Sequence, residues 1–479
     1  MPKNFYITTT LPYVNAEAHM GHALEFVRAD IIARYKKLLG FDVFFNTGTD
    51  EHGQKIYQKA LEKGQTPQEF VDFYAGKFKE LLKLLGISED VNFIRTTDPG
   101  HIKSAQAFWR LCDKNGYIYK KNYQVKYCVG CELEKTDSDL VNDCCPDHPN
   151  LELELRNEEN YFFKFSAFGD RLLSLYADRP NFVIPEKRLN EIRSFVDGGL
   201  SDFSISRLKE KMPWGIAVPG DSDQVMYVWF DALVNYISAI GWPDDMVKFD
   251  KWQVSTGGMV QYCGKDNLRQ QSAMWQAMLM AAGLPNSKAV IVDGFVTGAG
   301  GVKMSKSLGN VVNPVEIITE YGTDALRYFV AREIHPFEDT PFTAEGFKDA
   351  YNANLANGLG NLVSRVMKMA ETNLAEPVTV PEKTIPPEFF DLLERFEIQK
   401  AADLIWQKIA EADKLIQETA PFKLVKMDKE KGVEIIKDLV IRLYTIGRML
   451  NPIMPETSKK IKDLVKANKS PETPLFLRK

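Results

Sequence analysis

Apolar strand-like runs and segments of helical apolar spacing alternate along this chain, and the switches between them divide it into regions. Residues 4–10 (NFYITTT) are β-branched and aromatic and predict a strand. Residues 20–39 carry apolar side chains at helical spacing and stop at Gly40. Residues 41–50 (FDVFFNTGTD) predict a second strand ending at Asp50. Strands separated by helices predict βαβ units and a parallel sheet. Ligands in such sheets bind at the carboxyl ends of the strands, which makes residues 12–22 and 47–53 candidate walls of a site.

From Gly116 the pattern changes to short aromatic strands, such as YFFKF at 161–165, around a cluster of cysteines. This reads as an insertion in the α/β region, whose parallel-sheet pattern resumes at 225–236 and 289–296. Beyond residue 346 long segments of helical spacing dominate, at 354–370, 396–418 and 432–450. A proline-rich loop (Pro377, Pro381, Pro386, Pro387) separates the first of these from the others. That pattern predicts a helical bundle.

At 479 residues the chain has room for about three or four domains. Hydrophobic content of 44% and charged content of 26% exclude a wholly disordered chain, a collagen-like repeat and a small disulfide scaffold. Lys plus Arg number 60 against 65 Asp plus Glu, and the net −5 argues against a nucleic-acid partner. The average hides a gradient. Residues 396–479 hold 17 basic against 12 acidic side chains, so this region carries +5 and the rest −10. Phosphate contacts answer to local charge, so the helical region remains a candidate for one. The N-terminus (MPKNFYITTTLPYV) lacks the apolar core and cleavage site of a secretory signal, and no apolar run is long enough to span a bilayer. A cytoplasmic protein without a membrane partner is expected.

Three motifs carry chemistry. His19, Met20, Gly21 and His22 follow a strand and open a helix, where free N–H groups and the helix dipole favour anions. Two imidazoles one turn apart add donors, and Gly21 allows close approach of a nucleotide. Such a short motif also describes a surface histidine pair. Lys303 and Lys306 lie in the glycine-flanked run GAGGVKMSKSLGN, residues 298–310, where two lysines can converge on a polyphosphate. Finally, Cys128-x-x-Cys131 is followed by Cys145-x-x-His148, a strong pattern for one tetrahedral zinc ion. Cys144 is an alternative to Cys145, and redox use is an alternative to metal. A site closed by four protein ligands is structural.

The first two motifs, in this order and widely separated, resemble the HIGH and KMSKS signatures of class I aminoacyl-tRNA synthetases, with Met20 as a conservative apolar change. The stretches TLPYVNAEAHMGH (10–22), TGTDEHG (47–53), YVWFDALVNY (227–236) and SKSLGNVVNP (305–314) are similar to the methionyl-tRNA synthetase family, and closest to its bacterial and mitochondrial type. The resemblance implies an α/β fold: a Rossmann-type doubly wound parallel-sheet catalytic domain in two halves (1–115 and 223–294). A connective insertion with a zinc knuckle (116–222) would interrupt it. A KMSKS loop region (295–345) and an α-helical anticodon-binding bundle (346–479) would follow.

The same resemblance implies activation of L-methionine by ATP with Mg2+ and transfer to tRNA(Met), the initiator included. His19, Gly21, His22, Gly258, Asp266, Lys303 and Lys306 would bind ATP, with His19, His22, Lys303 and Lys306 catalytic. Leu11, Tyr13, Asp50, Trp229, Ala232, Tyr236 and Gln271 would bind methionine, in keeping with an unbranched, polarisable side chain against aromatic surface. Gln271 stands where the family has a histidine; glutamine can still donate a hydrogen bond. Glu25 and Arg207 match other active-site positions. Asn361 and Arg365, four apart on one helix face, and Phe422, where the family has a tryptophan, would meet the anticodon. Cys128, Cys131, Cys145 and His148 match the family's knuckle, which would hold one Zn2+ per chain and favours Cys145 over Cys144. A monomer is expected, because no C-terminal dimerisation domain follows the bundle. The alternatives are a class I synthetase for another amino acid, a non-catalytic tRNA-binding paralogue, and a zinc-dependent hydrolase. The last is disfavoured because a closed metal site has no open position.

Overall fold

Asn4–Thr9 lies in the middle of a six-stranded sheet ordered Asn92–Arg95, Asp42–Thr49, Asn4–Thr9, Val260–Gly264, Ala289–Asp293 and Val183–Ile184. Its pairings with Asp42–Thr49 and Val260–Gly264 are both parallel. So are those of Asn92–Arg95 with Asp42–Thr49 and of Val183–Ile184 with Ala289–Asp293. Phe5 through Thr9 are buried, as a central strand covered on both faces requires. After Asn4–Thr9 the strand order runs to one side, and it resumes on the other at Val260–Gly264. Such a reversal is where a crevice opens at the carboxyl ends of the strands. The alternation of elements predicts this parallel sheet, and its doubly wound order is the one the resemblance implies.

The computed structural model describes residues 3–131, 133–135, 140–301, 312–381 and 384–479. They form two compact units. The first comprises Met1–Ala18, Asp42–Glu80 and Asp90–Val292; the second comprises His19–Phe41, Leu81–Glu89 and Asp293–Lys479.

Within the first unit, Ile118–Cys128 pairs antiparallel with Glu154–Phe163 over ten residue pairs, with Leu133–Lys135 and Phe203–Ser204 at the edges. Two expectations need correction. Residues 225–236 do not resume the parallel sheet: Asp221–Met226 pairs antiparallel with Ser206–Leu208, and Val228–Leu233 is a helix. The run VMYVWFDALV is apolar almost throughout, and a short unbroken apolar run does not distinguish strand from buried helix. Val183–Ile184, inside the expected insertion, joins the edge of the parallel sheet. Two residues are too few to show a period.

In the second unit, Met20–Leu38 is buried on most of its surface. Asn361–Asn373, Ile398–Thr419 and Pro455–Ala467 each pack on Lys429–Met449, so the predicted helical bundle is present with Lys429–Met449 at its centre. Among the described residues no helix is long and apolar enough to cross a membrane.

Candidate active site

In the first unit the two loops expected as site walls are joined by backbone bonds. The Val14 N–H donates to the Asp50 carbonyl (3.1 Å) and the Asp50 N–H to the Pro12 carbonyl (2.9 Å), with Tyr13 opposite Asp50. Glu51, next in sequence, is wholly buried. It accepts two bonds from Arg95 (2.7 and 2.9 Å), one from the Thr49 hydroxyl (2.5 Å) and one from the Thr97 hydroxyl. A bidentate guanidinium–carboxylate pair is strong and directional, so the turn presenting Asp50 is held firmly. Leu11 packs with Ile94 and Ala239 in a small apolar cluster.

Trp229 and Ala232, both half-buried, lie on Val228–Leu233, and buried Tyr236 lies on the next short helix, Asn235–Ser238. The fold brings Gln271 to them: its side-chain N–H donates to the Tyr236 hydroxyl at 2.8 Å, with both residues buried. Sequence reasoning missed a cluster behind this helix. Asp231 Oδ2 lies 3.1 Å from His52 Nδ1, and its Oδ1 lies 4.0 Å from His101 Nε2. Burial raises the Asp231 carboxyl above its ordinary range against the pull of His52. Burial first, and then His52, lower His101 to about 3, so His101 is neutral. At 4.0 Å the His101–Asp231 pair is also too long for a hydrogen bond. The one available signal was charged and imidazole groups set in apolar runs.

Gly258 and Asp266 flank Val260–Gly264. Asp266 is exposed just beyond its carboxyl end. A Cβ at Gly258 would stand 2.6 Å from the Asn286 carbonyl oxygen, so backbone packing already demands glycine there. Arg207 is buried: it donates to the Ser204 hydroxyl and the Ser206 carbonyl (2.7 Å each) and lies over the Tyr227 ring.

In the second unit the first signature caps its own helix. His19 Nδ1 accepts from the Gly21 N–H (3.1 Å), and His22 Nδ1 accepts from the His19 N–H (3.2 Å). Their rings stack with centroids 3.9 Å apart. Burial and then His19 hold His22 well below its ordinary pKa, so it is neutral. A neutral imidazole that accepts at Nδ1 carries its hydrogen on Nε2. The backbone thus sets both rings as Nε2–H donors beside a helix N-terminus. A Cβ at Gly21 would stand 2.9 Å from the His19 ring, so glycine lets that ring fold over the helix end. Glu25, half-buried, is one turn further along the helix. Lys303 and Lys306 lie outside the described residues.

Ligand atoms of Cys128, Cys131, Cys145 and His148 all lie within 4.8 Å of one another. Cys131 Sγ is 3.4 Å from Cys145 Sγ and 3.2 Å from His148 Nδ1; Cys128 and Cys145 are 3.9 and 4.0 Å from that nitrogen. Donors around tetrahedral zinc lie about 3.5–3.8 Å apart, given Zn–S of about 2.3 Å. The residues therefore fit one zinc ion. A Cβ at Gly130 would come within 2.5 Å of the His148 ring, so the Cys128–Cys131 turn is shaped to admit the histidine. Cys144 is outside the group; its backbone bonds to Val141.

On the bundle, Asn361 is exposed at the start of Asn361–Asn373, and Arg365 donates to Asp413 at 3.1 Å. Phe422 is 48% exposed on Pro421–Met427.

The family described as tRNA synthetases class I (M) matches residues 5–152 and 149–367, and the parallel α/β sheet, the capped histidine pair and the helical bundle accord with that class. The methionine–tRNA ligase of Caldanaerobacter subterraneus subsp. tengcongensis is 41% identical over 477 residues, covering 96% of this chain and 74% of that protein. That of Thermotoga maritima is 39% identical, covering 95% and 74%. Mycobacterium tuberculosis methionyl-tRNA synthetase in complex with methionyl-adenylate superposes with a TM-score of 0.91 at 34% identity, covering 99% of this chain and all of that one. The chain belongs to the methionyl-tRNA synthetase family.

Proposed function

We propose that this chain is a methionine–tRNA ligase. It activates L-methionine with ATP to methionyl-adenylate and pyrophosphate, then transfers methionine to the 3′-terminal adenosine of tRNA(Met). The observation that carries this reading is the near-complete likeness, at 34% identity, to a synthetase solved with methionyl-adenylate. In the first step a methionine carboxylate oxygen bonds to the α-phosphorus and the bond to pyrophosphate breaks. In the second a ribose hydroxyl, first the 2′, attacks the methionyl carbonyl and AMP leaves. Neither step needs a protein nucleophile, so catalysis rests on positioning and charge stabilisation.

His19 and His22 would donate from Nε2 to phosphate oxygens, with Gly21 under the nucleotide. Lys306, assisted by Lys303, would take the charge developing on pyrophosphate. Mg2+ brought with ATP would neutralise phosphate charge. Asp266 and Gly258 would serve the ribose and adenine side. Asp50 would receive the methionine ammonium, and Leu11, Tyr13, Trp229, Ala232, Tyr236 and Gln271 the side chain. Arg207 and Glu25 would support these groups. Zinc on Cys128, Cys131, Cys145 and His148 would cross-link the knuckle without taking part in the reaction. Asn361, Arg365 and Phe422 would meet the anticodon, with Phe422 stacking on an unpaired base. The initiator tRNA, a monomeric state and a cytoplasmic setting belong to the same proposal.

Pyrophosphate exchange with each proteinogenic amino acid, with and without tRNA, tests it. Exchange with methionine alone is expected. Exchange with another amino acid, or none with any, overturns it.

A further inference from the structure

The Tyr236–Gln271 contact is the end of a longer buried chain of neutral groups, all in the first unit. Its far end is anchored to the backbone. The Ser287 N–H donates to Gln276 Oε1 at 3.0 Å, and Gln276 Nε2 donates to the Gln271 carbonyl at 2.8 Å. A backbone N–H can only donate and a carbonyl only accept, so the Gln276 amide has one orientation. Its nitrogen also donates to Ser287 Oγ (3.0 Å), and that hydroxyl must then give its own hydrogen to Gln261 Oε1 (2.5 Å). With its oxygen so engaged, Gln261 turns its nitrogen to Gln271 Oε1 (2.6 Å). Gln271 is left to donate from Nε2 to the Tyr236 hydroxyl (2.8 Å). Gln261, Gln271, Gln276, Ser287 and Tyr236 are all at most 2% exposed.

Five buried polar side chains, three of them glutamines, are costly to desolvate unless every bond is made. Here the bonds run in one direction. We infer that Gln261, Gln276 and Ser287 are positioning residues for selection of the amino acid: they fix the direction of the Gln271 amide, so that the Tyr236 oxygen always accepts on that side. A tyrosine hydroxyl has a single hydrogen. That hydrogen is therefore directed at an acceptor other than Gln271. A thioether sulfur is a weak acceptor, whereas norleucine, with CH2 in place of sulfur, offers none. The inference rests on the reading of Tyr236 and Gln271 as methionine-binding residues.

The test compares KM for methionine, KM for ATP and the kcat/KM ratio of methionine over norleucine in pyrophosphate exchange. Gln261→Met keeps the side-chain length and removes both polar atoms. It should raise KM for methionine about tenfold, leave KM for ATP within about twofold, and lower the preference for methionine over norleucine. Ser287→Ala removes one oxygen and cuts the relay a link upstream. It should act in the same direction, and it carries the test should Gln261→Met fail to fold. Simple loosening of the fold would raise KM for both amino acids and leave their ratio unchanged. A folded variant with wild-type KM for methionine, or with an unchanged ratio, overturns the inference. Tyr236→Phe and Gln271→Ala separate the two levels. If they raise KM for methionine and the relay variants do not, only the relay fails. If they too leave it unchanged, the assignment of the methionine site fails.

Discussion

Arg327 donates to Asp30 at 2.7 Å with both side chains wholly buried. The guanidinium also donates to the Leu85, Pro452 and Ile453 carbonyls (3.1, 2.9 and 2.7 Å). Asp30 in turn accepts from Arg34 (2.7 Å) and from the N–H and hydroxyl of Ser88 (3.0 and 2.8 Å). Arg327, on the helix Thr323–Tyr328, therefore ties the helix that begins at the first signature, through the ion pair, to the segment that follows Lys429–Met449, through the carbonyl bonds. Burial alone would raise the Asp30 pKa, but Arg327 and Arg34 outweigh it and hold the carboxyl below its ordinary range.

Losing Arg327 leaves buried Asp30 with Arg34 as its remaining cationic partner and removes the guanidinium's bonds to the Leu85, Pro452 and Ile453 carbonyls. Arg327→Met should cost about 3–5 kcal/mol in urea unfolding. The double variant with Asp30→Leu should lose less than the two single losses added, because the partners share one network. Additive losses would show that the pair is not coupled.

His101 gives the stability a pH dependence. Its folded pKa, about 3, lies below the ordinary histidine value, so between the two the unfolded chain binds a proton that the folded chain refuses. The stability this group contributes is complete above about pH 6.5 and is lost as the pH falls towards its folded value, by at most about 1.4 kcal/mol per pH unit. His101→Gln should flatten unfolding free energy against pH in that window. A variant as steep as the wild type refutes the assignment.

His19 has two roles that substitution can separate. His19→Asn keeps an acceptor for the helix N-terminus, and His19→Ala does not. Alanine should therefore cost about 1 kcal/mol more in stability. Both should slow methionine-dependent pyrophosphate exchange by about 10²–10³-fold, through loss of the Nε2–H donor. Near-normal exchange by the asparagine variant would restrict His19 to capping.

Neighbouring cysteines give a direct metal test. Cys145→Ser should lower zinc content and melting temperature, whereas Cys144→Ser should keep both. Equal zinc in the two variants, by elemental analysis, would contradict the geometry of the knuckle.

Much of this was legible along the chain because it depends on near neighbours. The strand at 4–10 follows from its β-branched and aromatic residues, the helices of the bundle from periodicity, and the knuckle from two short spacings. Gly21 and Gly130 are also local: each makes room for a histidine close by. Residues 225–236 misled because their apolar run has no period to read. The buried histidines and Glu51 were missed because their partners, Asp231 and Arg95, are far along the chain.

The sequence by itself determined the alternation of elements, the signature motifs, the candidate zinc ligands and the position of Gln271. Only the tertiary structure set Cys145 rather than Cys144 among the four side chains that could hold a metal. It alone decided that both signature histidines are Nε2–H donors, that Val183–Ile184 completes the parallel sheet, and that Gln271 is aimed at Tyr236 by a relay beginning at Ser287. Periodicity and spacing report bonds a few residues long. Burial and hydrogen-bond direction depend on which distant segments meet, and that is settled only when the sheet and its covering helices pack.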